Sequence, residues 1–295
     1  MKPKLTFLLA LTFLFLFSGS SAVFGDDLQD AKDAFQRKDY EEVLHLLIPL
    51  AEQGNGEAQL LLGLVYDLGE VVPQDYKEAF KWYRLAADQG VAAAQTALGL
   101  MYGEGHGVQQ DYKEAVKWYR RAAEQGSTPG SAGAQLNLGG MYSKGQGVSQ
   151  DYKEAVKWYR LAAKQGLARA QSNLGIMYRK GQGVSQDYKE AVKWYRLAAV
   201  QGALQAQHSL GLLYYEGEGV PKDYEEAFKW WKLAAEQGLA LAQSNLGGMY
   251  LRGLGISEDS KEAVRLYRLA AKQGFAQAQF NLGLFYHDGE VVPQD

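Results

Sequence analysis

The stretch DYKEAVKWYR stands letter for letter at residues 111–120, 151–160 and 187–196. An active site is needed once in a chain, so three identical copies point to architecture. Working outward, Asp-Tyr-(Lys/Glu)-Glu-Ala also begins at Asp75 and Asp223, with variants at Asp39 and Asp259. Successive phase aspartates lie 36 residues apart, except that 40 residues separate Asp111 from Asp151, where Ser127-Thr128-Pro129-Gly130 is inserted. Asp295 falls on the next beat.

Each unit splits into two helical patterns. In the second, typified by residues 151–166, Asp151 with Glu154 three residues later reads as a reciprocal capping box, and Gly166 supplies a left-handed stop. In the first, Leu167 to Tyr178, the residues Ala170, Leu174, Met177 and Tyr178 recur at helical spacing and form one buried stripe. The link from Arg179 to Gln186 carries two glycines that permit positive φ. A lone helix hairpin of this size does not bury enough apolar surface to offset the entropy of ordering it, whereas stacked neighbours do. Identical neighbours need identical contact faces, which is why the sequence repeats.

The combined pattern A-x-A-Q-x-x-L-G-x-x-Y-x-x-G-x-G-V followed by D-Y-x-E-A-x-x-W-Y-x-x-A-A-x-Q-G resembles the Sel-one-like repeat, a relative of the tetratricopeptide repeat, across Asp26 to Asp295. The resemblance implies an all-α fold, a right-handed alpha-alpha superhelical solenoid of antiparallel helix hairpins. It implies a protein that binds other proteins and assembles complexes, and it implies no catalysis. About seven hairpins are expected, in an array over residues 55–295 preceded by a degenerate capping repeat over 26–54. In that first repeat Leu46 and Leu47 replace the Trp-Tyr pair, and Pro49 is expected to kink or loosen its helix.

Residues 1–25 follow another rule: Lys2 and Lys4, an apolar run from Leu5 to Phe17, then small residues to Ala22. That is the order of a cleaved signal peptide, and about 13 apolar residues fall short of the roughly 20 that span a bilayer. Export is therefore expected, to a bacterial periplasm or the medium. The chain has no cysteine, which excludes disulfides, thiol nucleophiles and Cys-ligated zinc. The formal charge of −3 gives no bulk attraction to nucleic acid. No other apolar run is long enough to span a membrane.

Candidate chemistry reads mostly as structure. Gly145-Gln146-Gly147 follows a helix, whereas a dinucleotide fingerprint follows a strand, so it reads as a hairpin turn. His45, His106, His208 and His287 stand one to a repeat and pair with no second ligand; no metal site and no cofactor are expected. No Ser, His and Asp grouping suggests a nucleophile. In each Trp-Tyr pair (Trp82-Tyr83, Trp118-Tyr119, Trp158-Tyr159, Trp194-Tyr195) and in Trp230-Trp231, one member is expected in the core and its neighbour at the inter-repeat edge, in preference to a sugar-stacking surface. Lysines such as Lys117 beside Glu114 read as a solvated face.

Where the copies disagree is more informative. Four positions of the first helix drift, at i, i+3, i+7 and i+10, on one helical face. The second position runs Leu60, Thr96, Leu136, Ser172, His208, Ser244, Phe280; the third includes Ile176 and Leu212; the fourth runs Asp67, Gly103, Ser143, Arg179, Tyr215, Leu251, His287. By the resemblance, first helices line the concave surface, and Thr96, Ser172, Ile176, Arg179, His208, Leu212, Tyr215, Ser244, Leu251, Phe280 and His287 are the expected partner-binding residues. Neutral drift and a binding surface both account for the variation; the residue types favour binding. Asn137, Asn173, Asn245 and Asn281 sit one position over and are expected to bond the next helix, with a peptide-bridging role second.

The function expected is a non-enzymatic scaffold for a protein or peptide partner. The alternatives are a cell-wall-directed or β-lactamase-like enzyme, as cysteine-rich relatives are labelled, and a host-directed effector. No Ser-x-x-Lys motif supports the enzyme. The chain ends on the first residue of a second helix, which leaves Phe275, Phe280, Leu282, Phe285 and Tyr286 without one. A longer natural protein, or end-to-end association through that edge, is the expectation.

Overall fold

A computed structural model describes residues 25–287, with side chains from 27 to 286; residues 1–24, with the expected signal peptide, and the last eight residues lie outside the described part. Among the described residues all regular structure is helical: α1 Gly25–Arg37, α2 Tyr40–Glu52, α3 Gly56–Leu68, α4 Tyr76–Asp88, α5 Ala92–Glu104, α6 Tyr112–Ala123, α7 Ser131–Lys144, α8 Tyr152–Lys164, α9 Ala168–Lys180, α10 Tyr188–Ala199, α11 Leu204–Glu216, α12 Tyr224–Glu236, α13 Ala240–Arg252, α14 Ser260–Lys272 and α15 Ala276–His287. Odd-numbered helices are the first of each hairpin and even-numbered ones the second. The chain divides after Gln165 into a unit holding α1–α8 and a unit holding α9–α15, each a stack of helix hairpins.

Local chemistry sets the helix ends. The Asp75 carboxylate accepts from the backbone N–H of Lys77 (2.9 Å) and Glu78 (3.1 Å), and Asp111 and Asp151 do the same in their repeats. The expected reciprocal bond from the glutamate does not form. The N-cap backbone N–H is already taken, since Asp111 donates to the Tyr102 carbonyl (2.9 Å) and Asp223 to that of Tyr214 (2.9 Å). The glutamates pair instead with a cation one turn on, as in Glu226 with Lys229 (2.8 Å), Glu114 with Lys117 and Glu262 with Arg265 (2.7 Å). Thus the recurring Asp both caps the second helix and ties it to the last turn of the first.

Two packing devices join the helices. In α7, Gly139 faces the Tyr159 ring of α8, and a Cβ there would lie 2.7 Å from Cδ1. Gly63, Gly99, Gly175 and Gly211 bear the same relation to Tyr83, Tyr119, Tyr195 and Trp231. Absence of a side chain lets the aromatic plate lie against the helix backbone, and those rings are almost wholly buried. The second device is a glutamine ladder. Gln135 (1% exposed) donates to the Ala123 and Gly126 carbonyls (3.1 and 2.9 Å) and accepts from Gln165 (2.7 Å). Gln95 with Gln125 repeats the side-chain pair in the first unit, and Gln207 with Gln237 and Gln243 with Gln273 repeat it in the second, each spanning 30 residues.

The Trp-Tyr expectation holds where side chains are described. Tyr83, Tyr119, Tyr159 and Tyr195 are core, and the Trp118 and Trp158 rings are buried against the preceding repeat. In the first repeat, α2 runs on through Pro49 to Glu52. Pro49 lies in the last turn, where the lost hydrogen bond is near the frayed end and Leu47, Leu50 and Ala51 still pack.

Candidate partner-binding surface

Most of a first helix is used up by packing. In α9, Ala170, Gln171, Leu174, Gly175 and Met177 are buried, and what reaches solvent is Arg169, Ile176, Arg179 and Lys180. The second of the four drifting positions is not on the open surface. Thr96, Ser172, His208 and Ser244 are 9%, 8%, 8% and 5% exposed, because the next first helix lies over them. Thr96 Oγ1 donates to the carbonyls of Ala92 (2.9 Å) and Gly130 (3.1 Å), and His208 Nε2 lies 3.0 Å from Asn245 Nδ2 of α13. These four residues are removed from the expected groove lining and belong to the seam between first helices. Phe280, at the same position in α15, is 61% exposed, since no described helix follows α15. The side chain of His287 lies outside the described residues.

The seam explains the asparagines as well. Asn245 bonds His208, Asn137 bonds the buried Tyr119 hydroxyl, and Asn281 bonds that of Tyr267, which makes helix bonding their role here. His208 is also stacked on Trp231 at 6.1 Å, and Trp231 Nε1 donates to its carbonyl (3.0 Å). Burial, with the Arg179 charge second, lowers its pKa to about 4. A neutral ring then accepts the Asn245 bond through Nε2.

In the unit of α9–α15 the third and fourth positions line open surface and contribute to clefts between consecutive first helices. In the unit of α9–α15 one cleft, about 570 Å³, is bounded by Arg179 and Lys180 of α9, Leu212 and Glu216 of α11, and Tyr188 and Glu218. A second, about 480 Å³, lies between α13 and α15 and is lined by Leu251, Arg252, Leu284 and Phe285. Tyr215 stands between them in the register. It is half-buried, with its ring 5.2 Å from those of Tyr224 and Trp231 and the Arg252 guanidinium 6.0 Å above it. Ile176, Arg179, Leu212, Tyr215 and Leu251 thus share one face of this unit. In the unit of α1–α8 the fourth position carries Asp67, Gly103 and Ser143, and Glu104 and His106 follow Gly103 at the end of α5 and in its turn. Asp67 accepts from the Tyr83 hydroxyl (3.2 Å) yet is raised by burial, and His106 stacks on Tyr76 at 4.5 Å. The same frame presents different chemistry at different repeats.

The Sel1 repeat family profile matches residues 56–91, 92–127, 132–167, 168–202, 204–239, 240–275 and 276–295. The chain belongs to the Sel1 repeat family. Among solved structures, c5321 is 40% identical with a TM-score of 0.80, covering 85% of this chain; it is described as a protective antigen of uropathogenic Escherichia coli strains with an SLR fold. This chain spans 53% of the length of c5321. A Sel1 repeat protein from Oxalobacter formigenes is 38% identical at a TM-score of 0.75, covering 83% of this chain and 99% of its own. No curated protein matches. Sel1 repeat proteins are generally non-catalytic protein-interaction scaffolds.

Sequence reasoning missed the ladder. Its signal was present: the glutamine of A-x-A-Q and that of Q-G stand 30 residues apart at Gln59 and Gln89, Gln95 and Gln125, Gln135 and Gln165, Gln171 and Gln201, Gln207 and Gln237, and Gln243 and Gln273. An invariant spacing across an insertion-tolerant repeat marks a contact.

Proposed function

We propose that this chain is an exported, non-enzymatic scaffold that holds a protein partner on the open face of its first helices. The observation that carries the reading is the division of labour along each first helix. Positions that touch the second helix are held to Ala, Leu, Gly and Tyr, while the open third and fourth positions change from repeat to repeat into Ile176, Arg179, Leu212, Tyr215 and Leu251. Side chains of those types, grouped beside clefts, supply the apolar and guanidinium anchors of protein interfaces. Export is supported by the charged, apolar and small-residue order of residues 1–25, and by the description of c5321 as a protective antigen, which suits a protein reachable from outside the cell.

The test is site-specific photo-cross-linking of chains carrying a photoreactive phenylalanine at Ile176 or Leu212 and, as the comparison, at Lys157 or Lys229 on the outer face of a second helix. Discrete adducts with envelope proteins from the first pair and none from the second is the expected result. Adducts from the second pair alone would overturn the assignment of the face.

A further inference from the structure

One cleft in the unit of α9–α15 carries charges that no packing role uses. At the fourth drifting position the described repeats hold Asp67, Gly103, Ser143, Arg179, Tyr215 and Leu251, so the repeat itself does not require an arginine there. The Arg179 guanidinium lies beside the Tyr195 hydroxyl; its Nε is buried and has no hydrogen-bond partner, and no carboxylate among the described residues stands within ion-pair distance of it. Glu216 attracts it from across the cleft without closing an ion pair, so the guanidinium can still take a ligand's carboxylate.

Across the same cleft α11 ends in Glu216, followed in the turn by Glu218 beside the Tyr188 hydroxyl. These two carboxylates lie close enough to hydrogen-bond each other, an arrangement that also raises the Glu216 pKa after the effect of burial. Leu212 adds an apolar patch to the lining. One wall is therefore cationic and the other anionic. A purely acidic ligand meets Glu216 and Glu218; a purely basic one meets Arg179 and Lys180. Only a ligand of both signs is attracted on both sides.

We infer that this cleft binds a peptide segment in which an acidic and a basic side chain are adjacent, the acid paired in two-pronged fashion with Arg179, the base held by Glu216 and Glu218, and a neighbouring apolar side chain laid on Leu212. The inference rests on the first-helix face being the partner surface, and it names the partner's chemistry at one point of that face.

The experiment titrates acetyl-Leu-Asp-Lys-amide into the mature chain labelled uniformly with ¹⁵N. Acetyl-Leu-Asn-Lys-amide and acetyl-Leu-Asp-norleucine-amide serve as single-charge controls. The two-charge peptide is expected to move the Arg179 Nε–H signal and to bind at least tenfold more tightly than either control at low salt. Arg179→Gln is expected to erase the preference for Asp over Asn and keep that for Lys over norleucine; Glu216→Gln with Glu218→Gln does the reverse, so the proposal does not hang on one variant. Arg179→Lys, which keeps the charge and loses the fork, should fall between, and melting temperatures report folding of all variants. Equal binding of the three peptides, or an Arg179 signal that does not move, overturns the inference. If the controls still shift Leu212 and Ile176 without charge preference, the first-helix face stands and only its assigned chemistry falls.

Discussion

Gly139 and Gly140 are neighbours in one turn of α7, and the structure predicts that alanine has opposite effects at the two. In a helix interior Gly→Ala is favourable by about 1 kcal/mol, because alanine has less backbone freedom to lose. At Gly140 nothing opposes that gain: the nearest atom to a new Cβ is the Tyr159 hydroxyl, 3.8 Å away. At Gly139 the same methyl lies 2.7 and 2.8 Å from Cδ1 and Cε1 of Tyr159 and 3.2 Å from the Ala155 carbonyl. The ring is 5% exposed and held between helices, so relief requires α7 and α8 to part. Overpacking of this kind costs about 1–3 kcal/mol, which exceeds the propensity gain. Gly140→Ala should therefore raise the urea midpoint slightly, and Gly139→Ala should lower it, with the two variants differing by the overpacking cost of about 1–3 kcal/mol. Replacing Tyr159 by Leu removes the obstructing ring edge, so Gly139→Ala in that background should cost less than in the natural chain, a coupling read from a double-mutant cycle. Equal midpoints for the two single variants would refute the claim that the first-helix glycine exists to admit an aromatic plate.

The glutamine ladder predicts that Gln135→Leu, similar in size but without donor or acceptor, strands the Ala123 carbonyl and Gln165 Nε2 and destabilises by about 2–3 kcal/mol in urea unfolding. His208 predicts a pH dependence. Its folded pKa, about 4, lies below the ordinary value of 6.5, so the unfolded chain takes up the proton first, and the stabilisation present above pH 6.5 is lost as pH falls. The loss reaches about 3 kcal/mol by pH 4, and the stability–pH slope between those limits should flatten in His208→Gln, where the neighbouring Arg179, Asn245 and Trp231 are unchanged. Tyr215→Ala should lower the melting temperature measurably as well as any binding, because the ring packs on Trp231 and Tyr224; an unchanged melting temperature would make it a pure surface residue. Residues 1–30 fused to alkaline phosphatase should give activity only if they direct export, which an inactive fusion would exclude.

Period, helix type and helix ends were legible because their causes are local. Asp151 caps the helix that starts one residue later, and Gly166 ends it at φ +88°, whatever surrounds them. The side-chain alternation of the Trp-Tyr pairs was equally legible, since adjacent residues on a helix must point apart. Where the reading failed, a neighbour remote in sequence decided. The capping box seen in Asp151 and Glu154 is half-formed because the Asp151 backbone N–H donates to the Tyr142 carbonyl, nine residues upstream in another helix. Thr96, Ser172, His208 and Ser244 look like free surface on a helical wheel, because a wheel shows one helix and not the next first helix beside it.

By itself, then, the amino-acid order determined the repeating hairpin, its caps and the list of positions free to vary, all consequences of φ/ψ preference and of 3.6-residue periodicity acting within one unit. Only the tertiary structure decided which of those free positions remain open. Where first helices pack side by side, side chains at i+3 such as Thr96, Ser172, His208 and Ser244 are covered, while Ile176 and Leu212 at i+7 and Arg179, Tyr215 and Leu251 at i+10 stay partly open to solvent.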